Sequence, residues 1–218
     1  THVIGLSIHH ASVDVRERLA VPEADWNSVS AELVASGACA EAAVISTCNR
    51  FEVYFAAASP RESMARVTKF LAARSALPTQ ELRRSLFMLS GEDAIWHLFR
   101  VAGGLDSLIV GEGQILSQVR QCYLNASAKD GSGGRVVSRM LNNALSAGKR
   151  VRSETNIAKG SVSISSAAAE LSELRSQRDL QLPFGEARLA VVGCGKMTRL
   201  LVTHLASRGL ERITIVNR

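Results

Sequence analysis

Cys48 stands in the polar stretch Ser46-Thr47-Cys48-Asn49-Arg50, and a partly exposed thiol beside an arginine has the setting of a nucleophile. Taken alone, a cysteine in a turn is more often an inert surface or core thiol. Cys39, Cys122 and Cys194 complete the set of four. No CxxC pair and no histidine at ligand spacing accompanies them, so neither a zinc site nor a disulfide framework is expected and a reducing compartment fits best. His97 can act as a general acid or base, with Asp93 one helical turn earlier placed to orient its ring; the alternative is a solvated surface histidine. His9-His10 lacks a third ligand, and no metal is expected.

A second centre is marked by Gly193-Cys194-Gly195-Lys196-Met197-Thr198. Glycines where a strand feeds a helix let backbone amides and the helix N-terminus hold a pyrophosphate. Thr198 takes the third position of the GxGxxG pattern, which loosens the close helix packing that glycine permits. Asn217 and Arg218 stand where an acidic residue would receive the ribose of NAD, which favours NADP. A Rossmann-like unit without nucleotide is the alternative. Lys149-Arg150-Val151-Arg152 suits phosphate contacts along RNA, or is a solvated helix face; no aromatic residue interleaves it, which argues against base stacking.

These residues need elements to hold them. Val3–Ile8 reads as a strand, Val13–Leu19 as a short helix, and residues 23 to 35 as another. Strands over 42–46 and 51–56, the second alternating, put Cys48 in the turn between them. Helical spacing runs from Pro60 and breaks at Pro78. In Glu92–Ala102 the stripe Ile95, Leu98, Phe99, Ala102 leaves His97 and Arg100 on the opposite side. Glycines punctuate 103–113, and an amphipathic helix follows over 115–126. Gly131-Ser132-Gly133-Gly134 reads as a linker. A basic helix runs from about 135 to 152, a small-residue helix begins over 161–169, and Pro183-Phe184-Gly185 reads as a second linker. A strand (188–192), helix (196–207) and strand (212–216) make one βαβ unit.

With 218 residues, 46% of them hydrophobic and 5% aromatic, the chain can build a core mainly from Ala, Val, Leu and Ile. No run reaches the roughly 18 apolar residues of a membrane span. A net charge of +6 favours an anionic partner such as RNA or phosphate. There is no signal peptide, and Thr1 in place of Met suggests that leading residues were removed or left out.

Taken together, Val3-Ile-Gly-Leu-Ser-Ile-His9, Ser46-Thr-Cys-Asn-Arg50, Gly104-Leu-Asp-Ser107, Gly111-Glu-Gly-Gln-Ile-Leu116 and Gly148-Lys-Arg-Val-Arg-Ser-Glu-Thr-Asn156 resemble glutamyl-tRNA reductase in order and separation. The resemblance implies an α+β catalytic domain, a small antiparallel sheet with helices, over residues 1–155. A connecting helix and linker would follow over 156–186, then a truncated α/β Rossmann-type NADP-binding domain over 187–218. It implies that Cys48 attacks the ester of glutamyl-tRNA and holds glutamate as a thioester, which NADPH reduces to glutamate-1-semialdehyde in five-carbon tetrapyrrole synthesis. Thr47, Asn49 and Arg50 would flank the nucleophile, with Arg50 on a glutamyl carboxylate. Ser107, Glu112, Gly113, Gln114 and Gln118 would complete the substrate site. His97 would assist proton transfer to the leaving tRNA hydroxyl, and residues 193–198 would contact NADPH. Ser12 departs from a usual proline and Thr198 from a glycine.

The family continues with the rest of its NADPH domain and a C-terminal helical dimerisation domain. Gly5-Leu-Ser-Ile-His9 and Ala20-Val-Pro-Glu-Ala-Asp-Trp26 look more like plastid forms, which implies a stromal location with bacterial cytoplasm as the alternative. Regulatory binding proteins and an aminomutase that receives the aldehyde are implied as partners. Competing readings are an NADP-linked dehydrogenase of the shikimate type, which shares the glycine turn and the Asn-Arg strand end, and a non-catalytic RNA-binding module.

Overall fold

A computed structural model describes residues 1–159 and 163–217, so positions 160–162 and Arg218 lie outside the described residues. The chain divides into two compact units, Thr1–Asn156 and Ile157–Arg218.

The first unit opens with β1 (His2–Ser7) and α1 (Val13–Leu19), and a 3-10 turn at Glu23–Asp25 leads into α2 (Trp26–Ala35). The hairpin β2 (Glu41–Ser46) and β3 (Arg50–Ala56) follows, then α3 (Pro60–Ser75), α4 (Thr79–Ser85) and β4 (Phe87–Ser90). Three helices, α5 (Glu92–Ala102), α6 (Gln114–Ala126) and α7 (Gly134–Glu154), complete it. The sheet is antiparallel throughout, in the order β2-β3-β1-β4. Every residue of β1, and every residue of β3 before Ala56, is buried. Successive side chains on a strand point to opposite faces, so both faces of the sheet are covered.

That burial changes the meaning of the alternation in β3. Phe51, Val53 and Phe55 share one face, and Arg50, Glu52 and Tyr54 share the other, yet the polar face is as buried as the apolar one. Across the sheet, Glu52 pairs with Gly5 and Gly5 with Phe87. A methyl group on Gly5 would come within 2.7 Å of Glu52 Cγ and 2.9 Å of the Phe87 ring. Glycine here opens the space that the Glu52 side chain occupies.

Strand β4 was not expected. At four residues it is too short for periodicity to register, and pairing with β1 creates it. In α5 the buried residues are Ala94, Leu98, Val101 and Ala102, so the inner face is turned relative to the expected stripe. His97 lies on the flank of that face, not opposite it, and its side chain is only 15% exposed.

The stretch Gly131–Gly134 is a packed turn and not a free linker. The Ser132 carbonyl accepts from the Ala42 amide at 2.8 Å, extending the edge of β2. The Glu41 carboxylate then accepts from the backbone amides of Arg135, Val136 and Val137 at 3.1, 2.9 and 2.7 Å. It satisfies donors that the first turn of a helix cannot satisfy internally, and places an anion at the positive end of α7.

In the second unit α8 (Ile164–Asp179) starts with a Ser163/Ser166 capping box. The β5 (Arg188–Val192), α9 (Lys196–Ser207), β6 (Arg212–Val216) unit follows, its strands parallel. The segment expected as a linker at Pro183–Gly185 is a 3-10 turn whose Phe184 packs with Ala169, Ala187, Leu205 and Leu210. Helix α8, expected as a connector, packs on α9 within this unit. No helix among the described residues is long and apolar enough to cross a membrane.

Candidate active site

The β2–β3 turn is fixed by its own sequence. Thr47 donates its amide to the Arg50 carbonyl at 2.8 Å, and its hydroxyl accepts from the amides of Asn49 and Arg50 at 3.2 Å each. Threonine closes the turn with a side-chain oxygen, and Cys48 is left exposed at its tip. Arg16 of α1 holds the turn from outside by donating Nη1 to the Cys48 carbonyl. The sequence reading did not single out Arg16.

The opposite wall is the loop between α5 and α6. Gly104 adopts φ +77°, and a side chain there would come within about 3.2 Å of the backbone of Gly111 and Glu112. The Gly111 amide donates to the Gly104 carbonyl at 3.0 Å, closing the loop on itself. Arg152 of α7 pins it by donating Nη1 to the Gly111 carbonyl at 2.8 Å. One arginine of the basic stretch is thus structural. Arg150 is paired with Glu154 at 2.8 Å on the surface, and Lys149 lines a groove with Arg120 and Tyr123 between α6 and α7.

Turn and loop enclose a cleft lined by Thr47, Cys48, Asn49, Arg50, Ser107, Glu112, Gln114, Ile115 and Gln118. Gly113 is the N-cap of α6, behind that lining, with Arg152 against it. The free amides of the first turn of α6 sit beside Gln114, which favours negative charge at this end of the cleft. Burial pushes the Glu112 carboxyl up, against the opposing pull of Arg50.

His97 does not line the cleft, and Asp93 does not orient it. Its Nε2 lies 2.9 Å from Oε1 of Glu52, and its ring stands on Phe87 with centroids 4.8 Å apart. Asp93 faces solvent instead. Glu52 also accepts from Arg50 Nη1 at 2.8 Å and from the Tyr54 hydroxyl at 2.6 Å. Arg50 Nη2 reaches the Asp106 carbonyl at 2.6 Å and its carboxylate at 3.0 Å. Cleft and histidine are therefore joined through Arg50 and Glu52. Burial alone would raise the Glu52 carboxyl, but Arg50 and then the hydrogen bonds from His97 and Tyr54 outweigh it and hold it at about 2, below the usual 4.5. The sequence reading missed Glu52, Tyr54 and Asp106. The available signal was the i, i+2, i+4 spacing of Arg50, Glu52 and Tyr54 on one strand face.

In the second unit Gly193 adopts φ +107°, and a Cβ at Gly193 or Gly195 would meet nothing within 4 Å. The turn opens onto free space, with Cys194, Lys196 and Met197 exposed along it. Thr198 is buried and donates its hydroxyl to the Gly193 carbonyl at 3.0 Å. It ties helix to turn where glycine would only have allowed close approach. An exposed glycine turn ahead of an uncapped helix N-terminus fits a dinucleotide phosphate. Asn217 follows β6 directly.

The family model for the N-terminal domain of glutamyl-tRNAGlu reductase matches residues 4–155, and the shikimate / quinate 5-dehydrogenase model matches residues 175–218. Glutamyl-tRNA reductase 1, chloroplastic, of Hordeum vulgare is 46% identical over 216 residues, covering 99% of this chain and 40% of that protein. Glutamyl-tRNA reductase of Trichormus variabilis is 45% identical over 216 residues, covering 99% of this chain and 49% of the relative. The solved structure of glutamyl-tRNA reductase from Methanopyrus kandleri superposes with a TM-score of 0.65 at 30% identity, covering 100% of this chain and 49% of that one. The chain spans less than half the length of these relatives. The shikimate-type likeness is confined to the second unit, while the match to the reductases runs from the Cys48 cleft through the glycine turn: the chain belongs to the glutamyl-tRNA reductase family.

Proposed function

We propose that this chain carries the thioester-forming centre, and the first part of the cofactor site, of an NADPH-dependent enzyme that reduces glutamyl-tRNA to glutamate-1-semialdehyde. The observation that carries the reading is the cleft, in which an exposed thiol on a rigid turn faces Ser107, Glu112, Gln114 and Gln118 from separate elements. Cys48 attacks the ester carbonyl, the tRNA ribose oxygen leaves, and glutamate stays on sulfur as a thioester. Glu112 meets the α-ammonium of the glutamyl group. Arg50 meets its carboxylate, since an arginine has five N–H donors and the contacts to Glu52 and Asp106 take at most three. Thr47 and Asn49 hold the thiol in place, Ser107, Gln114 and Gln118 bond the ester region, and His97 moves the proton that the leaving oxygen requires.

Residues 193–198, together with Asn217 and Arg218, would hold NADPH, which when bound would supply the hydride needed to reduce a thioester on Cys48 to the aldehyde. The cofactor residues fit this role through the open glycine turn and the Thr198 tether. The remainder of the NADPH domain and a helical dimerisation domain belong to the full-length protein, which acts as a homodimer in the plastid stroma. Chloroplastic and Trichormus relatives are similarly identical, at 46% and 45%, so bacterial cytoplasm is the alternative location. An aminomutase takes the aldehyde in tetrapyrrole synthesis, and regulatory proteins bind the plastid forms.

The test is incubation of the full-length protein with glutamyl-tRNA labelled in the glutamate, without NADPH. A hydroxylamine-labile protein adduct that vanishes in Cys48→Ser is expected. No adduct, or one that survives the substitution, overturns the reading.

A further inference from the structure

We infer that Glu52 is a positioning residue that fixes the tautomer of His97, so that Nδ1 is the nitrogen that exchanges a proton with the substrate. The inference rests on the thioester-forming reading above and adds to it the atom through which the proton moves.

Oε1 of Glu52 is shared by two groups, Arg50 Nη1 at 2.8 Å and His97 Nε2 at 2.9 Å. A guanidinium can only donate, and Glu52 is ionised beside it, so Oε1 only accepts and Nε2 carries the hydrogen. Oε2 is occupied in turn by the Tyr54 hydroxyl at 2.6 Å. Glu52 has no exposed side-chain surface, and the gap at Gly5 is what lets its side chain cross β1 toward the ring. Phe87 covers one side of the imidazole at 4.8 Å. Neutral His97 is thereby held with Nε2 protonated, and among the described residues no group bonds Nδ1. With one arginine set against Glu52 and Asp106, the cluster carries a net charge of −1, which an imidazolium formed in transit balances.

During acyl transfer the Cys48 thiol proton passes to Nδ1 through water, since His97 stands outside the cleft lining, sulfur bonds to the ester carbon, and the C–O bond breaks. The ribose oxygen departs with the proton held at Nδ1, and His97 returns to the Nε2–H form. Glu52 gives up and takes up nothing; it sets which nitrogen is free.

Two measurements test this. In the 15N-histidine-labelled chain, with the signal assigned by its loss in His97→Asn, Nε2 is expected to be protonated and Nδ1 unprotonated at pH 8; the reverse tautomer overturns the inference whatever the variants do. In the full-length protein, Glu52→Gln is expected to slow formation of the glutamyl adduct about 10²-fold. In the His97→Asn background the same change is expected to cost clearly less, the remainder acting through Arg50, which Glu52 also holds. An equal loss in both backgrounds makes Glu52 merely structural and overturns the inference. Failure of the wild-type protein to form any adduct overturns the proposed function instead, and leaves the tautomer result standing by itself.

Discussion

At the scale of single residues, the site separates reactive from inert thiols by burial. Cys39 and Cys122 are buried, and burial pushes the Cys39 thiol up to about 11 and the Cys122 thiol further. Cys48 and Cys194 are exposed. Iodoacetamide applied to the native protein is therefore expected to label Cys48 and Cys194 and to spare the other two, as read by peptide mass mapping. Glu52 has a different signature. Its carboxyl is held at about 2 in the fold against 4.5 otherwise, so its contribution is present in full above pH about 4.5 and is lost as pH falls toward 2. The depression corresponds to about 3 kcal/mol. In Glu52→Gln the fall in stability across that acid window is expected to flatten, measured by urea unfolding at a series of pH values; an unchanged slope would mean that the network does not hold the charge. The strand pattern shows only that Arg50, Glu52 and Tyr54 share one face; the covering of both sheet faces is what turns that face into a buried network.

At the scale of elements, the site depends on two devices that sequence periodicity does not carry. Gly5 clears the row between Glu52 and Phe87, and Gly5→Ala is expected to cost about 1–3 kcal/mol by overpacking and to weaken His97 function with it. Thermal unfolding and adduct formation should fall together; a loss in neither would remove Gly5 from the account. Helix α7 is held at its start by Glu41 and near its end holds the Gly111 carbonyl through Arg152. Glu41→Ala is expected to destabilise the fold by about 1 kcal/mol, readable in the denaturation midpoint. Arg152→Ala is expected to loosen the loop that carries Ser107 and Glu112, seen as faster amide exchange there. The helices α1 and α5 could be read from the sequence to the residue, because their patterns are local. The strand β4, the packed turn at 131–134 and the partner of His97 could not, because each is made by a contact distant in sequence.

At the scale of the whole molecule, the two units differ in what their sequences disclose. The second is a local βαβ fragment whose glycine turn announces itself, and Thr198, at the position where glycine would allow close helix packing, ties helix to turn through a hydrogen bond at 3.0 Å. Thr198→Gly in the full-length protein is accordingly expected to weaken NADPH binding a few-fold, measured by fluorescence titration; tighter binding would contradict the tether. The first unit needed its motifs read together, since Cys48, Ser107 and Gln118 become neighbours only when the hairpin turn and the loop before α6 close on one cleft. The most direct measurement is the position of the acyl group. After glutamyl-tRNA is mixed with the full-length protein in the absence of NADPH, peptide mass mapping is expected to place one glutamyl group on Cys48. Acylation of Cys194 or another residue, or free tRNA released with no acylated peptide, would contradict the account.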